Sequence, residues 1–211
     1  LIPYYGAHDT SAKVRNQIAW TDDIKATVWT EIVTEKIRKQ KELLEDIGKI
    51  EEAILLQSYI DDMQYGDSTN REGHTAKVYL FGKDFTRTAD CNINAALNYG
   101  YSIILSSFTR EIVANGYITQ IGLFHDNMFN QFNLASDLME PFRPIVDDAV
   151  YNMKISVFEK NEKMQLVNLL NKSVNINDRT EYVNNAIKIY CRSIFDALCD
   201  KDIALIKFYS L

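Results

Sequence analysis

The segment His125–Pro144, HDNMFNQFNLASDLMEPFRP, concentrates side chains able to do chemistry. An imidazole, His125, and two carboxylates, Asp137 and Glu140, fall within reach of one metal ion or one reacting group. Asp137 and Glu140 are three residues apart, so on a helix they share a face. Two prolines then interrupt that helix. Pro141 offers no N–H to the carbonyl of Asp137, and Pro144 offers none to that of Glu140. Arg143 lies between them. Each group also has a plainer reading. His125 follows an apolar run and suits a hydrogen-bonded core histidine, and the acid pair suits a solvated helix face. Phe132, Leu134, Leu138 and Phe142 read as core.

A third acid stands upstream. Glu72 in TNREGHTAKVY either caps its own helix, through the Thr-x-x-Glu box with Thr69, or joins the set above. Taken together, Glu72, His125 and Glu140 suit a hard, oxygen-preferring divalent ion that tolerates one imidazole, Mn²⁺ or Mg²⁺. A structural zinc site would want more sulfur or histidine. Such an ion can polarise a phosphodiester and stabilise a developing alkoxide. Arg71, Lys77, Lys83 and Arg87 surround Glu72 and Arg143 follows Glu140, so cations are at hand for phosphates.

The elements that must position these groups are mainly helical. Trp29, Val33, Ile37, Leu44 and Ile47 predict an amphipathic helix from Val14 to Ile47, stopped by Gly48. A second helix is expected over about Glu51–Met63, then a polar turn, QYGDSTNREG, and a helix starting near Arg71. The stripe Leu97, Tyr101, Ile104, Phe108 and Ile112 predicts a helix from about Asn92 to Asn115, closed by a left-handed Gly116. Ile118–Phe124 reads as a short extended piece delivering His125. Helical patterns at Phe158–Leu170 and Val183–Leu198 flank a polar loop, NKSVNINDRT. His8 and His74 read as surface residues, and Cys191 and Cys199 as buried thiols.

Composition bounds the rest. With 211 residues and 46% hydrophobic side chains, the chain can bury a sizeable core. A net charge of −6 makes no whole-chain case for nucleic acid, so any DNA contact must come from local basic patches. Three cysteines without CxxC spacing suit a reducing compartment. With no apolar run of membrane length and no secretory signal, the expectation is a soluble, cytoplasmic protein. A metal-dependent nuclease and a non-catalytic helical protein that holds DNA or partner subunits both remain open on the residues alone.

NREGHTAKVY, INAALNYGYSIILSSFTREIV and IGLFHDNMFNQFNLASDLMEPFRPIVD together resemble the CRISPR-associated integrase family, Cas-one, in its type II form. The likeness runs from about Leu1 to Tyr151. It implies a mainly α fold, a single helical catalytic domain over 14–211, with 1–13 a linker from a β-rich N-terminal domain absent from this chain. It further implies Mn²⁺ or Mg²⁺ on Glu72 in EG, His125 in GLFH and Glu140 in DLMEPFRP, with Asp137 supporting. Arg71, Lys77, Arg87 and Arg143 would then meet DNA. The implied reaction is attack by the 3′-hydroxyl of a prespacer on a phosphodiester at the CRISPR leader–repeat junction. The implied partners are that DNA, a second copy in a homodimer, a Cas-two dimer bridging two such dimers, and Cas-nine with other type II adaptation proteins. One departure stands out. KVYLFGKDF lacks a few residues that the family carries between Tyr79 and Leu80, which shifts the placement expected for Lys83 and Arg87.

Overall fold

Trp29, Val33, Ile37 and Leu44 recur at helical spacing because they line one buried stripe of a 25-residue helix. In the computed structural model, which describes residues 10–78 and 85–210, the expected run from Val14 to Ile47 is two helices, α1 (Thr10–Ile18) and α2 (Asp22–Asp46). The break is Thr21. Its backbone is extended and its hydroxyl accepts from Ile24 N–H, with Asp22 and Asp23 in the first turn of α2. An N-cap with acids behind it restarts a helix that hydrophobic spacing alone would run through. The stop falls where expected: Ile47 ends α2 and Gly48 turns left-handed at φ 79°.

Four helices follow largely as their patterns predict: α3 (Ile50–Asp61), α4 (Arg71–Val78), α5 (Asn92–Ala114) and, late in the chain, α9 (Val183–Asp200). Leu97, Ile104, Phe108 and Ile112 of α5 are buried, and Gly116 closes it at φ 86°. Gly100 is needed for packing: a Cβ there would meet Val146 at 2.4 Å, so the helix carrying Val146 crosses α5 at this point. Between them lie α6 (Asn133–Leu138), a 3-10 turn over Glu140–Phe142, α7 (Arg143–Met153) and α8 (Lys160–Val167). α2 packs against α3, the Glu140–Phe142 turn, α7 and α9, while α5 packs against α7, α8 and α9. Phe108, Phe142, Tyr190 and Tyr209 meet ring to ring where these layers converge. The fold is mainly α.

Several expectations are corrected. The polar loop is a hairpin, β1 (Ser173–Ile176) and β2 (Arg179–Tyr182), with Ile176 opposite Arg179. Its two linking residues, Asn177 and Asp178, both take positive φ, as a two-residue mirror-image turn requires. Val174 and Ile176 face the core while Ser173 and Asn175 face out, an alternation obscured by the surrounding polar residues. Ile118–Phe124 is irregular loop, not strand. Phe132 is 40% exposed, whereas Leu134, Leu138 and Phe142 are core. Cys191 is buried but Cys199 is exposed. His74 is exposed as expected. His8, Lys83, the Tyr79–Leu80 junction and the side chain of Lys77 lie outside the described residues.

Candidate functional site

Asp137 organises the loop that carries His125. Buried on α6, its carboxylate accepts backbone N–H groups from Leu123 at 2.6 Å, Phe124 at 3.1 Å and His125 at 3.2 Å, and its Oδ1 lies 2.5 Å from His125 Nδ1. An irregular loop has no ladder to satisfy these donors, so the carboxylate stands in for one. Gly122 makes the approach possible: a Cβ there would sit 2.4 Å from the His125 carbonyl oxygen and 2.7 Å from Asp137 Oδ2. The Gly-Leu-Phe-His order is thereby explained sterically. Gln17 holds the near side of the loop through the Ile118 and Ile121 carbonyls. Trp29 stacks on Phe124 at 4.6 Å and meets the His125 ring edge-on. The hydrogen bond to Asp137 raises the His125 pKa, and the charges of Asp137, Glu140 and Glu72 add to it against partial burial.

Glu140 is placed by the two prolines. Pro141 and Pro144 end α6 and start α7, and the 3-10 turn between them drives Glu140 into the interior beside α2. There Arg143 Nε donates to Oε1 at 2.7 Å, and Oε2 lies 2.5 Å from Lys36 Nζ. Burial would raise the Glu140 pKa, but Lys36 and Arg143 outweigh it and hold the carboxyl below its usual range. Neither Asp137 nor Glu140 is the solvated acid that a surface helix would carry.

Glu72 is not a cap. Asp67 accepts from the Arg71 and Glu72 amides at 2.7 and 3.1 Å, and Asn70 Oδ1 accepts from Gly73 N–H at 3.2 Å. Thr69 Oγ1 makes no hydrogen bond, so the expected capping box is absent. A Cβ on Gly73 would lie 2.7 Å from Asn70, which accounts for the glycine after Glu72. Relieved of capping, the Glu72 carboxylate points inward and receives a hydrogen bond from Lys36.

Lys36 thus joins Glu72 to Glu140, and sequence reasoning missed it. The signal was present. Lys36 sits on the apolar face of α2, three residues after Val33 and seven after Trp29, where helical periodicity calls for a hydrophobic side chain. Behind this centre, Tyr101 donates to the buried Asp147, and the Arg143 guanidinium lies 4.8 Å and that of Arg87 5.4 Å from the Tyr101 ring centroid. Arg87 is exposed and fixed by Asn94 and Asn98 at 2.7 and 2.8 Å. Arg71 lies over Tyr59 and touches Asp62 at 3.4 Å.

The structure therefore brings Glu72, Glu140 and Lys36 into direct contact, with His125 and Asp137 alongside. Among the described residues, no three His, Cys, Asp or Glu side chains already stand close enough to hold an ion. The donor chemistry nonetheless suits a divalent ion. Two hard oxygen donors converge on one cationic atom, and Glu140 Oε2 is buried without a hydrogen bond of proper geometry. Among the described residues, no helix is long and apolar enough to cross a membrane.

An α-helical protein with an acid–histidine cluster against a lysine is the class that fold and site define. Comparison with known proteins narrows it. Residues 79–168 match the family model described as CRISPR associated protein Cas1. A CRISPR-associated endonuclease Cas1 from Neisseria meningitidis is 34% identical over 155 residues, covering 72% of this chain and 51% of that protein. One from Francisella tularensis is 25% identical over 202 residues, covering 82% and 63%. Among solved structures, a casposase bound to integration product superposes with a TM-score of 0.73 at 20% identity, covering 92% of this chain and 70% of that one. A Cas1 protein from Thermotoga maritima gives 0.70 at 17% identity with the same coverages. The Cas6-RT-Cas1–Cas2 complex gives 0.78 at 16%, over 98% of this chain and 27% of that one. The chain belongs to the Cas1 family. It spans about half to two thirds of the length of these curated relatives. The family match itself runs to residue 168, past Tyr151, and the structural likeness covers 92% of the chain.

Proposed function

We propose that this chain supplies the metal-dependent DNA integrase and endonuclease centre of CRISPR adaptation. Its reaction is the insertion of prespacer DNA into the array by 3′-hydroxyl attack at the leader–repeat junction. The observation that carries the reading is the convergence of Glu72 and Glu140, from α4 and the proline-containing turn, on one cation position beside His125. A merely structural acid pair would have little reason to bury Glu140 on a lysine at this junction, and the capping alternative for Glu72 has lost its hydrogen bonds to Asp67 and Asn70.

In this reading Glu72, His125 and Glu140 hold Mn²⁺ or Mg²⁺. A bound ion of this kind polarises the phosphodiester and offsets charge on the departing oxygen. Asp137 fixes His125 through Nδ1, leaving Nε2 as the outward ligand atom, the usual role of a carboxylate behind a metal-binding histidine. Arg143 acts mainly by aligning Glu140. Arg87 and Arg71 present guanidinium edges for phosphates, with Lys77 completing the set.

The partners follow from the same reading: prespacer and leader–repeat DNA, a second copy of the chain, a Cas2 dimer between two such dimers, and Cas9 with other type II adaptation proteins. The casposase on its integration product and the Cas1–Cas2 assemblies among the structural neighbours support the first and third of these.

Glu72→Ala should abolish divalent-dependent joining of a DNA 3′-end to a leader–repeat duplex while leaving circular dichroism unchanged. Joining that persists in this variant at saturating Mn²⁺ would overturn the assignment. Offering water and a DNA 3′-hydroxyl in competition separates integration from simple hydrolysis, because only an integrase yields joined product.

A further inference from the structure

Lys36 holds a place that the fold gives to hydrophobic side chains. Val33 and Trp29 on the same face are buried, and the Lys36 side chain is itself only 7% exposed. Its ammonium contacts Glu72 Oε1 and lies 2.5 Å from Glu140 Oε2. The neighbouring Lys39 behaves differently: it turns to Glu42 at 2.9 Å and Glu35 at 3.5 Å on its own helix. Glu140 already has a cation, Arg143, on its other oxygen. Lys36 is therefore not needed to neutralise Glu140 alone. What it does is hold two carboxylates together that come from elements far apart in sequence and would otherwise repel.

We infer that Lys36 is a resident counter-charge of the site. Its ammonium occupies the position between Glu72 and Glu140 that a divalent ion would take, keeps the two acids converged in the ion-free protein, and is expelled when an ion binds. The inference rests on the reading of Glu72, His125 and Glu140 as the ligand set. A lysine suits the task because its charge is compact and its stem flexible, so it can withdraw without dismantling the helix that bears it. An arginine would grip both carboxylates with a planar fork and leave less readily.

The test measures Mn²⁺ binding to the intact chain by calorimetry or by the spectrum of the free ion, together with thermal melts with and without saturating Mn²⁺. Lys36→Met should melt below the wild type without the ion, because buried Glu140 and half-buried Glu72 lose their shared partner. Mn²⁺ should then raise its melting temperature by more than it raises that of the wild type. Its Mn²⁺ Kd should be at least about tenfold lower, since no ammonium competes for the same oxygens. Lys36→Arg should keep the fold and bind Mn²⁺ more weakly than the wild type, which supplies the readout if Lys36→Met folds only with the ion present. Equal or weaker Mn²⁺ affinity in a folded Lys36→Met, or unchanged affinity in Lys36→Arg, would sink the inference while leaving the ligand set standing. Mn²⁺ binding that is unaltered by Glu72→Gln and Glu140→Gln would overturn the ligand set and the inference together.

Discussion

Glu140 and Glu72 reach the same lysine from two differently built regions. Glu140 comes from inside the core. Pro141 lies within its turn and Pro144 just after it, α2 packs over it, and Arg143 and Lys36 take its two oxygens. Glu72 comes from the rim, on the eight-residue α4, whose start is held by Asp67 and Asn70, and its side chain is 34% exposed. One acid is fixed by tertiary packing, the other presented by a short capped helix. On the proposed reading, a site that admits an ion and DNA would have use for both: a rigid acid to define the position, and a peripheral one that can adjust.

The contrast can be broken most forcefully at the rigid side. Asp137→Ala would orphan three backbone donors and the His125 ring, and should cost about 4 kcal/mol or more in a urea titration. Gly122→Ala should fall in the same range, because the added methyl would collide with backbone. If either variant were as stable as the wild type, the loop would not be pinned as described.

The two acids can then be compared directly. Glu140→Gln leaves Arg143 and Lys36 facing a neutral group in the interior and should destabilise by about 3 kcal/mol. Glu72→Gln, at a partly exposed pair, should cost under about 1 kcal/mol. Equal losses in chemical denaturation would erase the distinction between core and rim.

Asp147 offers a pH test of the core side. Burial pushes its carboxyl up to about 6, against the Tyr101 hydrogen bond and the charges of Arg143, Lys36 and Arg87. The folded protein thus keeps a proton that the unfolded chain releases near 3.8. Stability attributable to Asp147 therefore falls as pH rises from about 4 to about 6. Glu140, held below its usual range, works the other way and loses stability as pH falls. The Asp147 effect is isolated by comparing the wild type with Asp147→Asn: between about pH 4 and pH 7 the wild type should lose roughly 2–3 kcal/mol relative to the variant. A constant difference across that range would mean that Asp147 titrates normally.

The smallest effect concerns the cap of α4. Asp67→Ala should cost about 1–2 kcal/mol, and Thr69→Ala less than about 0.5 kcal/mol, since Asp67 bonds the first amides and the Thr69 hydroxyl bonds nothing. The reverse order would restore Thr69 as the cap and return Glu72 to a local role.

Much of this was legible beforehand where local rules apply. Gly48 and Gly116 stop helices because a left-handed residue ends them, and the stripe of α5 is buried because 3.6-residue periodicity puts it on one face. The misreadings have physical causes as well. Thr21 divides α1 from α2 through a cap that hydrophobic spacing does not register. The Asn177–Asp178 turn hid a hairpin whose two inward residues stand among polar ones. The Thr69 box satisfied a local rule, but Asp67 reached the same amides from a turn made possible by Gly66 at φ 66°. Phe132 looked like core by type and lies exposed on the loop after His125, with Met128 and Phe129 each 87% exposed nearby.

What the sequence determined alone was the inventory: a mainly helical chain, an imidazole and three acids with the right chemistry, two prolines to break the helix between them, and glycines where no side chain fits. Only the tertiary structure decided which groups meet. Lys36 lies 36 residues from Glu72, and Gln17 lies 101 from the Ile118 carbonyl it anchors. Periodicity and capping act within a few residues, whereas these contacts exist only because separate helices bury their apolar faces against one another and bring their polar side chains along. The cation between the two acids is the clearest product of that packing.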